Sequence, residues 1–577
     1  MRHTKKKLIV LFILFIAFTT ASLYAVANTQ KQYTVSSTEW QTAASRCRIA
    51  GVVGPSSSGP VAGTEILQAL KAIDIYKLSS NLQKTLEDLF HKLENPSRLL
   101  SGTNYAIDLE TIINAEAYVH TSPFEDITER DWLKGYQDRL PFAEGVAEGW
   151  FGDHIYGLFT YSAMKNLQPA GEKHPYFYPY FNTNIYFRLP TMQRTMPFQV
   201  GIFAGDNVWN FTIGRNRASM GNGKTGNLLV GDNFQFQEFM KLSLFTPLIT
   251  YNLNITHFDQ QNKALDDPTT LIPFRLNRMH QIRSVHRLSV NIAKNFQITL
   301  SECTLFQMDS SLDWRLLNPF MFMHNYNNFE RCLEANNMFS LELDYTFLPS
   351  WSWHAQAVVD QIQLPSEIDF SEEEGEAATL APNAWGVLTN FTGTWGVGKG
   401  YLEGFLEGVY TSPYLYLNRK ALERNFPGEV DWNHDFIVGY RLTDSNDLSY
   451  SGYKFGPDSI VAALGLSYHV FGDWSCNGQI MYKAQGQHGI AWPGSNKSQE
   501  EEIGIDHIND WSPTGIPEHL LSIFIDGKKK FMEGLEIGGS LGFISVWNFK
   551  HEIGRTWQDL QLSIAVSIDP LALILKR

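Results

Sequence analysis

The chain reads as an all-β protein: a closed antiparallel transmembrane β-barrel of about 18 strands with a short N-terminal helical segment. Three observations lead there. Apolar and polar residues alternate with period two over most of the sequence, the signature of strands with two unlike faces. The breaks between these runs are alternately short and long, as in a membrane barrel with tight inner turns and extended outer loops. Beyond the N-terminal segment no apolar run approaches the roughly 20 residues that a spanning helix needs.

Composition agrees with a wall between lipid and water. The chain holds 44 Gly, 38 Phe, 24 Tyr and 15 Trp, yet its mean hydropathy is only -0.21, because lipid-facing and lumen-facing residues cancel. Large soluble all-β enzymes share such a composition, so patterning carries the choice. The net charge of -14 argues against nucleic acid, whose phosphates need a basic surface.

The start, residues 1–27, reads as a secretory signal peptide: Arg2, Lys5, Lys6 and Lys7, an apolar core from Leu8 to Phe18, and Ala25-Val26-Ala27 before Asn28. An uncleaved anchor helix is the alternative, and the core is short for one. Residues 28–100 form the next unit. Asn28 to Pro60 is polar and reads as a flexible lead, whereas Ile66, Leu67, Leu70, Ile73, Leu82, Leu86, Leu89, Phe90 and Leu93 recur at helical spacing. Ser80 or Asn81 caps the second helix and Asn95-Pro96 stops it.

The barrel then occupies residues 101–577. In its first strand Ile107, Leu109, Thr111, Ile113, Ala115, Ala117 and Val119 share one face, opposite Asp108, Glu110, Asn114, Glu116 and His120. Leu341, Leu343 and Tyr345 likewise oppose Glu342 and Asp344, and Leu402, Leu406 and Tyr410 oppose Glu403 and Glu407. Arg283 and Arg287 share a face. A basic residue on the lipid side at the midplane costs about 2 to 4 kcal/mol, so the charged faces are expected to point inward.

The strand candidates are 104–120, 145–165, 182–190, 197–205, 207–217, 237–247, 249–258, 281–292, 294–308, 337–348, 351–363, 383–396, 399–411, 458–471, 474–487, 517–530, 534–549 and 556–568. A further run, 434–443, is assigned to an outer loop, since only then do the tight turns all fall on one side. The long connections 121–144, 218–236, 259–280, 309–336, 364–382, 412–457 and 488–516 then lie outside. One long connection, from Asn166 to Phe181, falls on the inner side, against the pattern.

The stretch from Phe211 to Ser243 carries a resemblance. Gly214-Arg215, the run GNGKTGNLL from Gly221 to Leu229, GDNFQF from Gly231 to Phe236 and KLS from Lys241 to Ser243 resemble the signature region of the capsule-assembly (Wzi-type) outer-membrane proteins. Further landmarks follow in order: VHRLSV (Val285 to Val290), TLSE (Thr299 to Glu302), LLNPFMF (Leu316 to Phe322), NNMFSLELDYTF (Asn336 to Phe347) and VVDQIQLP, ending at Pro365. The resemblance covers Ile107 to Pro365 and is weak beyond. It implies a helical bundle at the periplasmic end of the barrel and a non-enzymatic surface protein of the outer membrane that attaches or organises polysaccharide; a monomer is expected.

Several motifs are weighed on their own chemistry. Gly223-Lys224-Thr225 lacks the glycine that a phosphate loop needs five residues before Gly223, where Ala218 stands; its amides either hold the loop or meet an anionic glycan. No HExxH or GxSxG is present, the histidines show no metal spacing, and no cofactor or metal is expected. Glu500, Glu501, Glu502, Asp506 and Asp510 lack EF-hand spacing and read as a solvated loop rather than a calcium site. Glu403 and Glu407 read as lumen residues paired with arginine, rather than as a glycosidase pair. Cys303 and Cys332 are the candidate disulfide among Cys47, Cys303, Cys332 and Cys476.

Trp351, Trp353, Tyr401, Trp474, Trp547 and Phe549 read as interfacial girdles. The loop aromatics Tyr414, Tyr416, Trp432, Trp492 and Trp511 have no such role in this topology and offer sugar rings a stacking face, loop self-packing being the alternative for each. With the polar residues of the signature stretch, Arg215, Arg217, Lys224, Asn227, Asp232 and Asn233, they make up the candidate polysaccharide-binding set. A porin-like channel for small solutes or sugars and a secreted β-rich glycan hydrolase are the other classes considered. The end, Leu573-Ile574-Leu575-Lys576-Arg577, departs from the usual terminal aromatic of barrels. If the helical segment closes the inner end, deleting Thr64 to Ser97 is expected to raise conductance in planar bilayers, and unchanged conductance would count against it.

Overall fold

The computed structural model describes residues 26–96, 98–122, 133, 139–165, 180–185, 192–194, 199–234, 236–258, 280–308, 314–321, 323, 334–363, 366, 382–416, 418–421, 430–433, 437–441, 446–488 and 509–575. The expected signal peptide lies outside them. Eighteen strands make the wall. They begin with β1 (Tyr105–His120), β2 (Ala143–Phe151), β3 (Ile155–Lys165), β4 (Val200–Gly205), β5 (Trp209–Asn216) and β6 (Gln237–Phe245). Next come β7 (Ile249–Phe258), β8 (His280–Ala293), β9 (Phe296–Met308), β10 (Glu334–Leu348), β11 (Trp351–Gln361) and β12 (Ala384–Val397). The last six are β13 (Gly400–Thr411), β14 (Ser459–Val470), β15 (Trp474–Gln485), β16 (Glu518–Met532), β17 (Leu535–Trp547) and β18 (Thr556–Ile568). Each pairs antiparallel with the next, and β18 returns to β1 with Ile568 opposite Ile113 and Gln561 opposite His120. The sheet closes on itself, which leaves no edge in the bilayer.

The two faces are unlike, as the alternation requires. Ile107, Leu109, Ile113 and Val119 of β1 are exposed outward, while Asp108, Asn114 and Glu116 are buried inside. Leu341 and Leu406 face out; Glu342, Glu403, Glu407, Arg283 and Arg287 are all buried in the lumen. Among the described residues no helix is long and apolar enough to cross a membrane. The spanning elements are the strands, and the chain is an outer-membrane-type β-barrel.

Two expected strands are corrected. The run 145–165 is not one strand but the hairpin of β2 and β3, with Phe151 paired to Ile155 and the turn made by Gly152 at φ +60°. The alternation keeps its phase through that turn, which hides it. The run 182–190 is not a wall strand: among the described residues here Phe181–Thr183 pairs with the upper part of β1, and Met192–Arg194 pairs with β3. The two errors cancel in the count. They also remove the anomalous inner connection, because β3 ends at the outer end and the chain after it belongs there. The run 434–443 is outside the wall, with Ile437–Arg441 paired to Asn446–Tyr450 in a two-stranded ribbon.

Three N-terminal helices sit at the end carrying the tight turns: α1 (Thr38–Ala50), α2 (Gly63–Leu70) and α3 (Ser80–Glu94). The lead is therefore largely ordered. Ser37 caps α1 by accepting from the Trp40 amide, and Gly51 ends it in the left-handed region. Trp40, Ala43, Cys47, Ile66, Leu70, Leu86, Leu89 and Leu93 form a core of their own. Burial alone would raise the Glu39 carboxyl, but Lys92 at 2.6 Å holds it below its ordinary range. This α1–α3 contact adds stability above the unfolded carboxylate pKa and loses it as pH falls through the depressed value.

The bundle is tied to the wall at several turns. The Val53 amide donates to Lys294 carbonyl (2.9 Å), Ser350 amide to Arg48 carbonyl (2.8 Å) and Asn81 Nδ2 to Gly398 carbonyl (2.9 Å). From it the segment around Ser57 to Pro60 reaches into the lumen. Lys241 donates to the Ser58 and Pro60 carbonyls, and Arg287 Nη2 to Ser57 Oγ at 2.9 Å.

Among the described cysteines Cys47 and Cys303 are free and buried, and Cys476 is free and exposed on the outer face of β15. Cys332 lies outside the described residues. Burial pushes the Cys47 thiol up to about 12, which leaves it inert. A membrane-permeant maleimide followed by peptide mapping is expected to label Cys476 in the folded protein and Cys47 and Cys303 only after denaturation. Labelling of Cys303 in the native state would contradict the inward face assigned to β9.

Candidate functional site: the inturned loop and the mouth of the barrel

The connection between β5 and β6, which carries the glycine-rich stretch, turns into the lumen instead of standing above it. Local chemistry permits the tight path. Gly226 sits at φ +142°, open to glycine and strained for other residues, and a Cβ at Gly223 would lie 1.9 Å from the Gly226 carbonyl oxygen. Asn227 closes the coil, its Oδ1 accepting from the Gly223 amide at 2.9 Å.

The loop presents consecutive amides to an anion, and the anion is the protein's own. The Lys224 amide, the Thr225 amide and Thr225 Oγ1 each donate to Glu407 at 2.6 Å, and Asn390 Nδ2 adds a fourth donor at 3.2 Å. Lys224 Nζ reaches Glu403 Oε1 at 2.6 Å, while Arg48 of α1 reaches Glu403 Oε2 at 2.6 Å from below. Asn222 Nδ2 donates to Asp344 at 2.8 Å and the Leu228 amide to Gln356 Oε1 at 2.7 Å. So β10, β11, β12 and β13 all hold this one loop.

The loop also meets both neighbours that enter the lumen. Ser219 and Met220 pair with Gly59 and Ser58 of the N-terminal segment. On the outer side the Tyr416 hydroxyl donates to Leu228 carbonyl (2.5 Å) and accepts from the Tyr453 amide (2.9 Å). Tyr453 shares a hydrogen bond of 2.8 Å with Thr225. Burial pushes the Tyr416 and Tyr453 phenols well above their ordinary range, so they remain neutral donors. Leu228, Leu229, Val230, Phe234, Leu415, Tyr416, Tyr450 and Tyr453 pack as one apolar cluster across the upper lumen. The described protein thus runs from the inner turns to the mouth.

The expected binding residues fall into distinct places. Lys224, Asn227 and Tyr416 are brought together inside the barrel, where each is engaged by protein, rather than in an outward loop. Arg217, Asp232 and Asn233 lie half-buried at the mouth: Arg217 donates to the Asp232 carbonyl (3.1 Å), and Asn233 Nδ2 to the Tyr450 and Gly452 carbonyls. Arg215 pairs with Glu238 and covers the Phe236 ring. Tyr414 is buried against His488, its hydroxyl donating to Asp510 at 3.1 Å.

Trp511 is 70% exposed. It packs edge-on against Trp385 at 6.0 Å and beside Tyr410 at 5.8 Å, both outward-facing at the upper end of the wall. That contact joins it to the outer aromatic girdle, the role the topology had denied it. The side chain of Trp432 and the whole of Trp492 lie outside the described residues. Reasoning from residues alone missed Tyr453, Gln356 and Asn390, the loop's holders; the inward faces of β11 and β12 were legible, but not what would reach them.

His354 and Asp344 face each other across β10 and β11 at 2.9 Å, and with Glu342 they place three potential ligand atoms within 4.8 Å of one another. Glu342 is held by Arg287, whose Nη2 donates at 2.9 Å, and by Gln356 Nε2. Its carboxylate is already neutralised, so the trio is best described as part of the lumen network.

Neither a family model nor a curated protein sequence matches the chain. Solved structures do. The fold is similar to that of Wzi from Escherichia coli, described as an outer-membrane protein involved in group 1 capsule assembly and a carbohydrate-binding β-barrel. The TM-score is 0.52 at 12% identity, covering 93% of this chain and 99% of that one. The outer-membrane channel DcaP of Acinetobacter baumannii (TM-score 0.33, 8% identity, 82% and 100% covered) and OprD of Pseudomonas aeruginosa (0.35, 7%, 80% and 95%) also match. At such identities the likeness speaks for the fold, and the protein shares with Wzi the closed 18-stranded outer-membrane barrel.

Proposed function

We propose that this barrel is a non-enzymatic surface protein that attaches or organises polysaccharide through its outer face. One observation carries the reading: the lumen is occupied from both ends by protein that is hydrogen-bonded to the wall. A porin uses its lumen as the working surface and keeps it wet. Here the inturned loop, the Ser57 to Pro60 segment and the buried tyrosines take that space, which leaves the mouth and outer connections as the surface available for recognition. The likeness to a carbohydrate-binding barrel supports the same choice.

The carboxylates that would serve a hydrolase are committed elsewhere. Glu403 is paired with two cations and Glu407 accepts four hydrogen bonds, so neither is available as a general acid or nucleophile. The sugar contacts are assigned to the mouth, where Arg217, Asp232 and Asn233 are half-exposed. Lys224, Asn227 and Tyr416 act one step behind, by holding the loop on which that surface rests.

Planar-bilayer recording of the purified protein is expected to show no steady open conductance, and immobilised protein is expected to retain the surface polysaccharide of its host cells. Steady conductance without retention would establish the channel reading instead. Substituting Arg217→Ala together with Asn233→Ala is expected to weaken retention while heat-modifiable gel mobility is kept. Separately, Glu403→Ala removes the carboxylate shared by the partly buried Arg48 and Lys224, which costs about 1 to 3 kcal/mol. The measured outcome is a lower temperature for loss of the folded gel band together with intermittent conductance. A variant as stable and as silent as the parent would show that this carboxylate does not secure the loop.

A further inference from the structure

The outer wall of β7 to β9 carries a cluster of polar residues. Outward positions on these strands carry Tyr251, Ser284, His286, Glu302 and Thr304, polar groups where lipid is expected. Their depth follows from the strands. The outward aromatics that bracket β12, Trp385 and Trp395, are ten residues apart, so the apolar band is about that tall along a strand. Glu302 lies six residues above Phe296, the outward aromatic at the lower end of β9, and pairs across the sheet with His286. This places the pair within the apolar band, in its outer half.

The polar patch is not bare. Residues 314–321 and Met323, from the connection after β9, lie against it on the outside of the barrel. Met323 is buried with Leu253, Ile255, Ile282 and Phe306, and Leu317 and Met321 pack beside them. Irregular backbone in hydrocarbon is tolerated only where its polar groups find partners, and here the wall supplies them. The Met323 amide donates to Glu302 Oε2 at 3.1 Å, and the Tyr251 hydroxyl donates to Pro319 carbonyl at 2.9 Å while lying 2.8 Å from His286 Nδ1. Within the segment, the Asn318 amide donates to Arg315 carbonyl, Met321 amide to Asn318 carbonyl and Phe320 amide to Asn318 Oδ1. Pro319 has no amide hydrogen to satisfy.

We infer that residues 314–321 with Met323 form a membrane-embedded foot, docked on the lipid-facing wall by Glu302 and Tyr251, that inserts Phe320 among the acyl chains of the outer leaflet. The outward polar residues, which would be a liability against lipid, are the footing that lets an outer connection leave the water. Phe320 is 88% exposed at the tip of this segment, with an aromatic ring and no polar atom to hold in water. The partner surface is lipid. The effect is to pin this segment beside the wall, at a fixed height relative to the membrane.

The test is photocrosslinking. Phe320→p-benzoylphenylalanine in the full-length protein, reconstituted in dioleoyl-phosphatidylcholine vesicles and irradiated, is expected to give a lipid adduct at position 320 by mass spectrometry. The outward wall position Leu300, substituted in the same way, serves as a positive control. An adduct at 300 with none at 320 overturns the proposal, as does crosslinking of 320 to protein in intact outer membranes. Combining the probe with Glu302→Leu and Tyr251→Phe is expected to abolish the adduct at 320 while that at 300 and the heat-modifiable mobility are retained. Full adduct yield in that variant would remove Glu302 and Tyr251 as the docking groups.

Discussion

One carboxylate in the wall holds the interior together. Glu403 of β13 receives Arg48 from the N-terminal helix on one side and Lys224 from the outer loop on the other. The helical bundle, the wall and the inturned loop are coupled through that point. The arrangement exists because the outward face of β13 must be apolar, and alternation then obliges the inward face to be polar. Polar groups shielded from water need partners, and in this barrel protein supplies them.

The same logic explains the glycine-rich stretch. A coil of successive backbone amides is an anion cradle in any context, and the sequence around Lys224 has the composition of one. What occupies it here is Glu407, a residue of the wall. The cradle is therefore a lock between loop and strand, and the tyrosines above it complete the lock with neutral hydrogen bonds. The mouth inherits its shape from this interior, so a residue can matter for recognition without touching a ligand.

Much of the wall was legible because its signal is local. Leu341, Glu342, Leu343 and Asp344 announce their faces within four residues, and the tight turns at Thr246-Pro247 or Gly472-Asp473 mark one end of the barrel. The hairpin of β2 and β3 was not legible, since Gly152 turns the chain without shifting the phase of alternation. Helix α1 was missed for a different reason. Its sequence, TEWQTAASRCRIA, carries few large apolar residues, and it buries Thr42, Ser45 and Arg46 alongside Trp40 and Cys47, which hydrophobic periodicity does not register. Tyr414, Tyr416 and Trp511 looked alike as loop aromatics, yet two are buried and the third lies against the aromatic rim of the wall.

The amino-acid sequence by itself determined, for most strands, which side meets lipid, where most of the tight turns fall and that the barrel is preceded by helices. These properties depend on neighbours one to four residues away. Only the tertiary structure decided that the outer loop turns inward, that residues 314–321 and Met323 lie on the wall, and which partners satisfy the lumen charges. Lys224 and Glu403 are 179 residues apart, and no local pattern encodes their meeting. It arises when closure of the sheet brings their strands around a common axis.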